Sequence, residues 1–137
     1  MLAIRGAIQV EKDSPAAISA AVAALCEGIT RANGLGPGRI VSAIFTLTPD
    51  LSSAFPARAA REHGWGDVPM ICAQEIPVPD SPPRICRVLL HVKGSGRPRH
   101  VYLGGARGLL RPDLAGRAAP RAAAGRRRRS SRKCSWS

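Results

Sequence analysis

RICRVLLHV, residues 84–92, decides how the rest of the chain reads. Six of its nine residues are Ile, Cys, Val or Leu, the composition of a strand buried on at least one face. Cys86, Val88, Leu90 and Val92 share a wholly apolar face, while Arg87 and His91 fall on the other. A guanidinium is permanently charged, and leaving one buried without a partner costs several kcal/mol. Arg87 therefore needs either a carboxylate from the protein itself or an anionic ligand. The residues alone leave both open.

The neighbouring segments carry the same two-faced pattern. In residues 2–10, Leu2, Ile4, Ile8 and Val10 alternate with Ala3, Arg5, Ala7 and Gln9. In RHVYL, 99–103, Val101 and Leu103 oppose His100 and Tyr102, and in ICAQE, 71–75, Glu75 falls with Ile71 and Ala73, away from Cys72 and Gln74. RIVSAIFTLTPD is a further strand, stopped by Pro49, and DVPMICAQEIPV reads as the strand after it. Between the first two strands lies DSPAAISAAVAALCEGITRANG, a helix with Ser14 as N-cap, Pro15 at its first position and Gly34 closing it after Asn33. Its Ile18, Val22, Leu25 and Ile29 form one inward stripe. LSSAFPARAAREHG fits a short helix beginning at Pro56, with Phe55 at its entrance and Arg58 and Arg61 sharing a face at i, i+3. The order strand, helix, strand, short helix, three strands predicts an α+β or mixed α/β domain, a five-stranded mixed sheet with helices on one face. A second face carrying isolated polar groups lines a site or a subunit interface, because a solvated face would be more evenly polar.

Composition narrows the function. The 137 residues suit one domain, 45% of them are hydrophobic, and only 4% are aromatic. No apolar run approaches the roughly 18 residues of a membrane span, and the N-terminus has no signal-peptide pattern, so the cytoplasm is the expected compartment. The four cysteines form no CxxC pair and have no zinc-like His spacing; free thiols are expected, with Cys26 and Cys86 packed inside. The net charge of +12 is uneven: residues 115–137 contribute +8 and residues 1–114 only +4. That tail, rich in Ala, Gly, Arg and Ser, cannot bury enough apolar surface to offset its ordering entropy, and a disordered solvated segment is expected. Contact with nucleic acid by phosphate neutralisation is the alternative, weakened by the absence of aromatics interleaved with the arginines, Trp136 apart.

Six pieces in order, IRGAIQVEKD, TPDLSSAFPARAAR, CAQE, CRVLLHV, RHVYL and LRPDL, resemble the small monofunctional chorismate mutases of the trimeric AroH class, from about residue 2 to Leu114. The resemblance implies a domain over 1–114 followed by the tail 115–137, and a trimeric pseudo-α/β barrel. It also implies conversion of chorismate to prephenate between subunits, without cofactor or metal, in phenylalanine and tyrosine synthesis. By resemblance, Arg87 faces the ether oxygen that becomes electron-rich, and Glu75 takes the ring hydroxyl. Arg5 and Tyr102 bind a substrate carboxylate, and Cys72 lines the pocket. Phe55, Arg58 and Arg61 come from the neighbouring subunit, and Leu110 and Arg111 belong to a segment that folds over the site.

Other readings stand beside these. Arg87 could form a structural ion pair with Glu75, Arg5 an edge-strand surface charge, Tyr102 and Cys72 packing, and Arg58 and Arg61 solvated helix charges. A rearrangement of this kind needs no general base, so His63, His91 and His100 receive no catalytic role. GGARGL, 104–109, departs from the family's more apolar run and predicts a frayed last strand with a mobile lid. Two other functions remain: a trimeric barrel that binds or deaminates another small carboxylate, and a basic nucleic-acid binder acting through the tail.

Overall fold

The computed structural model, which describes residues 1–109, places Ile85–Val92 at the centre of a five-stranded mixed sheet. The elements in chain order are β1 (Leu2–Gln9), α1 (Pro15–Asn33), β2 (Ile40–Leu47), α2 (Pro56–Ala60), β3 (Met70–Gln74), β4 (Ile85–Val92) and β5 (Val101–Leu103). The strands lie in the order β3-β2-β4-β1-β5. β4 is antiparallel to both of its neighbours, and each edge strand runs parallel to the strand it borders.

Local chemistry accounts for α1. Ser14 Oγ accepts the Ala17 N–H at 3.1 Å, satisfying one of the donors left over at a helix start. At the other end Gly34 adopts φ 59°, and the Leu35 N–H closes back on the Thr30 carbonyl at 2.9 Å. Ile18, Val22, Leu25 and Ile29 are fully buried against the apolar faces of β1, β2 and β4, where Ile4, Phe45, Val88 and Leu90 also lie. Gly6 permits the close approach: a Cβ there would stand 2.8 Å from Ile29 Cδ1 and 3.0 Å from Leu25 Cδ1. The inner side of α2 joins the same cluster through Ala57, Ala59 and Ala60, so both helices cover one face of the sheet.

Three expectations need correction. The third strand is shorter than DVPMICAQEIPV, because Pro69 and Pro77 bracket it; beyond its ends only Ala43 N to Pro69 O (3.0 Å) and Glu75 N to Leu47 O (2.9 Å) prolong the ladder. The short helix ends at Ala60 and passes into a wide turn, Arg61–Trp65, broken at His63 and at Gly64 with φ 97°. The backbone is still helical through Arg61, so Arg58 and Arg61 keep their i, i+3 spacing, and only the turn beyond them departs from the expected helix. Arg58 meets Glu62 at 3.6 Å, an exposed pair worth little. Finally, β5 ends at Leu103 and GGARGL is wound where fraying was expected, while the lid expected beyond it lies outside the described residues. Gly104–Leu109 winds as a 3-10 turn across the second face of the sheet, and Ala106 is buried there with Ala7, Ile85 and Tyr102.

Trp65, to which the pattern reading assigned no place, is 1% exposed and packs on Phe45 with ring centroids 6.3 Å apart. It closes the core beneath the wide turn. A lone indole between two glycines carries no periodicity, so only its mass hinted at burial.

Candidate active site

The second face of the sheet assembles the site from register alone. Ala7 on β1 stands opposite both Arg87 on β4 and Tyr102 on β5, and Arg87 stands opposite Thr46 on β2. Four strands thus present Tyr102, Ala7, Arg87 and Thr46 in one row, spanning about 14 Å at the usual strand spacing. The methyl of Ala7 leaves room between the phenol and the guanidinium. Arg5, two residues before Ala7, lies on the same face about 7 Å along the strand. Its backbone N–H donates to His100 Nδ1 at 3.0 Å.

Glu75 completes the row just past the end of β3. Its Oε1 accepts from Thr46 Oγ1 at 2.7 Å and lies 2.8 Å from Arg87 Nε. The Nε–H is not aimed along that second contact, which makes it an ion pair rather than a well-formed hydrogen bond. The Arg87 side chain is 32% exposed and that of Glu75 18%, so the pair is held in a half-dry setting. Of the two partners the sequence allowed for Arg87, the protein's own carboxylate is present. Thr46 was missed as a supporting residue, although the alternation of Ser42, Ile44 and Thr46 along β2 marks it as facing the same way.

The remaining candidates lie elsewhere. Cys72 stands in register with Phe45, a residue of the helix side, and lines a cleft of about 820 Å³ with Phe55 and Arg58. The walls of that cleft are the start of α1, the loop 48–55, α2 and β3. Within one chain, then, Arg5, Glu75, Arg87 and Tyr102 share one face of the sheet, and Cys72, Phe55 and Arg58 share the other. Arg61 is exposed on the wide turn and does not line the cleft, and Leu110 and Arg111 lie outside the described residues. His91 and His100 are occupied structurally, His91 Nδ1 with Ser42 Oγ at 3.1 Å and His100 with the Arg5 amide. Among the described residues, no group of three His, Cys, Asp or Glu side chains is placed to hold a metal. No described helix is long and apolar enough to cross a membrane.

The thiols divide in the same way. Cys26 and Cys86 are buried and Cys72 is exposed, all three unbridged. Burial pushes the Cys26 thiol up to about 12 and raises Cys86 further still. A thiol-specific alkylating reagent at pH 8 should label Cys72 in the native protein and leave the peptides carrying Cys26 and Cys86 unmodified until denaturant is added. Because the folded thiols hold their protons above the unfolded value of 9.0, stability should be intact below pH 9 and fall as pH rises from there. Rapid native labelling of Cys26 or Cys86 would contradict this packing.

An ion-paired arginine and acid on one side of a mixed sheet, with both helices on the other, define a small α/β domain with a polar open face. Residues 1–114 match the family model of chorismate mutase type I, and the chain belongs to that family. It is 49% identical over 115 residues to the chorismate mutase AroH of Thermus thermophilus, covering 81% of this chain and 93% of that protein. Against the chorismate mutase AroH of Bacillus subtilis (strain 168) the identity is 39% over 115 residues, covering 81% and 90%. The solved chorismate mutase from Clostridium thermocellum superposes with a TM-score of 0.77 at 40% identity, covering 79% of this chain and 99% of that one.

Proposed function

We propose that the protein is a chorismate mutase, an isomerase that converts chorismate to prephenate by an intramolecular rearrangement. The observation that carries the reading is the Arg87–Glu75 pair on the open face of a domain matched by the family through residue 114. In the reaction the bond between a ring carbon and the ether oxygen breaks while a carbon–carbon bond forms between the enol terminus and the ring. No proton moves. What a protein can supply is a compact reactive conformer and stabilisation of the charge that separates as the C–O bond stretches.

The residues divide that work. Arg87 faces the ether oxygen, where negative charge grows, and its attraction is stronger in the transition state than in the ground state, the condition for raising the rate. The ion pair with Glu75 holds the guanidinium on this face beforehand, so little reorganisation accompanies the reaction. Glu75 also accepts the ring hydroxyl and suits the electron-poor ring. Arg5 and Tyr102, further along the face, take a carboxylate. A plain carboxylate binder gains nothing from an anion at Glu75, which favours this reading over another small-carboxylate barrel.

We place the site between subunits of a homotrimer. Phe55 is 72% exposed and lies with Arg58 on the far side of the sheet from Arg87, so one chain cannot bring them to its own Arg87. The exposed Ile71 on β3 and Ile76 and Val78 just after it mark the edge that a second copy would cover. Residues 1–114 then form the catalytic domain, the basic segment 115–137 stands outside the matched region, and the free thiols suit the cytoplasm. The experiment is a direct spectrophotometric assay of chorismate loss, with sedimentation of the same sample. Turnover by a trimer is expected; no turnover sinks the function, and full activity from a monomer sinks the shared site.

A further inference from the structure

We infer that Asp13 is a positioning residue, whose carboxylate clamps the loop that delivers Phe55 and Arg58 to the substrate site. This rests on the reading above, in which those two side chains meet chorismate from a neighbouring subunit. Asp13 follows β1 and directly precedes the Ser14 cap of α1, a place that needs no acid for the helix to start. Its Oδ1 nevertheless accepts the backbone N–H groups of Ser52 and Ser53, both at 3.1 Å, and the Ser53 hydroxyl at 2.7 Å. Its Oδ2 accepts the Ser52 hydroxyl at 3.3 Å. Four donors from two consecutive residues converge on one carboxylate across about 40 positions of chain. The hydrogen bonds, led by that from the Ser53 hydroxyl, hold the Asp13 carboxyl below the ordinary aspartate value.

The loop is gripped at its start as well. Asp50 accepts the Thr48 hydroxyl and, through both oxygens, the Arg84 N–H at 3.1 and 2.9 Å, while Arg84 Nε donates to the Val10 carbonyl at 2.9 Å. The second clamp ties the start of the loop to the beginning of β4 and the end of β1, while among the described residues Asp13 is the side chain that hydrogen-bonds residues 52–53, two and three positions before Phe55. Ser52, Ser53, Phe55 and Arg58 all line the 820 Å³ cleft. A carboxylate that touches no substrate thereby sets where an exposed aromatic ring and a cation stand relative to a partner's site.

The test compares wild type, Asp13→Ala and Ser14→Ala by steady-state turnover of chorismate and by hydrogen–deuterium exchange. Ser14→Ala removes the adjacent helix cap and lowers stability without touching the loop. Asp13→Ala should raise KM roughly tenfold with kcat changed by less than about twofold, the signature of lost ground-state binding. It should also speed exchange across residues 51–58, whereas Ser14→Ala should keep both KM and that exchange at wild-type values. An unchanged KM in Asp13→Ala, or an equal rise in Ser14→Ala, overturns the inference. If wild-type protein shows no turnover, the functional reading fails by itself and the exchange comparison decides the clamp. Faster exchange in Asp13→Ala alone upholds it, and unchanged exchange overturns it.

Discussion

Arg87→Ala should yield a folded protein whose kcat and kcat/KM on chorismate both fall by about 10³ or more. Losing one preorganised donor aimed at developing charge costs about 10²–10³, or roughly 2.7–4 kcal/mol, and a full cation facing an ether oxygen in a half-dry site sits at the upper end or beyond it. Both constants should drop together, because the contact strengthens only as the C–O bond breaks. Arg87→Lys keeps the charge and loses the planar fork, so its loss should be smaller but still on the order of tenfold or more. The structural cost has to be separated from the chemical one. Removing Arg87 leaves the Glu75 carboxylate beside Thr46 without its cation. A fully buried broken pair costs about 3–5 kcal/mol; with the guanidinium side chain a third exposed, about 1–2 kcal/mol is expected. Denaturant unfolding of each variant measures that term directly. Wild-type kcat/KM in Arg87→Ala would remove the electrostatic mechanism while leaving the fold untouched.

The largest expected loss of stability is at the other side of the sheet. Trp65→Ala should reduce the unfolding free energy by about 3–5 kcal/mol, the range for emptying a fully buried aromatic site. Among the described residues Trp65 is the bulkiest of the fully buried side chains, and it is packed on Phe45, which stands opposite Val88 on β4. Its removal opens a void against Phe45 on β2, the strand next to the one that carries Arg87. A domain of this size has about 5–15 kcal/mol in all, so the midpoint of thermal unfolding should fall by more than about 10 °C. Trp65→Phe retains most of the apolar volume and should lose less than half as much. A shift of under about 1 kcal/mol in Trp65→Ala would mean that the wide turn collapses over the gap and that the indole is not a keystone of this core.

The elements that reasoning along the chain located well are those whose determinants lie within a few residues. β4 follows from the alternation of Cys86, Val88, Leu90 and Val92 against Arg87 and His91. α1 follows from Ser14, Pro15 and Gly34 together with its apolar stripe, and its ends coincide with those cap residues. The extent of β3 was overread because apolar residues run on through Ile76 and Val78, where no partner strand remains to receive their backbone groups. GGARGL was misread because its glycines suggest fraying, whereas Ala106 finds a pocket made by Ala7, Ile85 and Tyr102. Nothing local to residues 104–109 encodes that pocket.

For the site, the residue types and their faces were legible, and the distances were not. Alternation alone put Arg87 opposite the apolar face of its strand and Glu75 on the face of Ile71 and Ala73. Their 2.8 Å contact exists because β2 lies between β3 and β4, so that Thr46 bridges the gap, and strand order is a long-range property. The separation of Phe55, Arg58 and Cys72 from that row likewise emerged only when both helices were seated on one face. Sequence by itself determined where the chain is helical or extended, which sides are apolar and which charges need partners, since periodicity and capping act over one or two turns of chain. Tertiary structure alone decided which charges meet, what Asp13 holds and where Trp65 goes, because those contacts join residues tens of positions apart and depend on how the sheet is ordered.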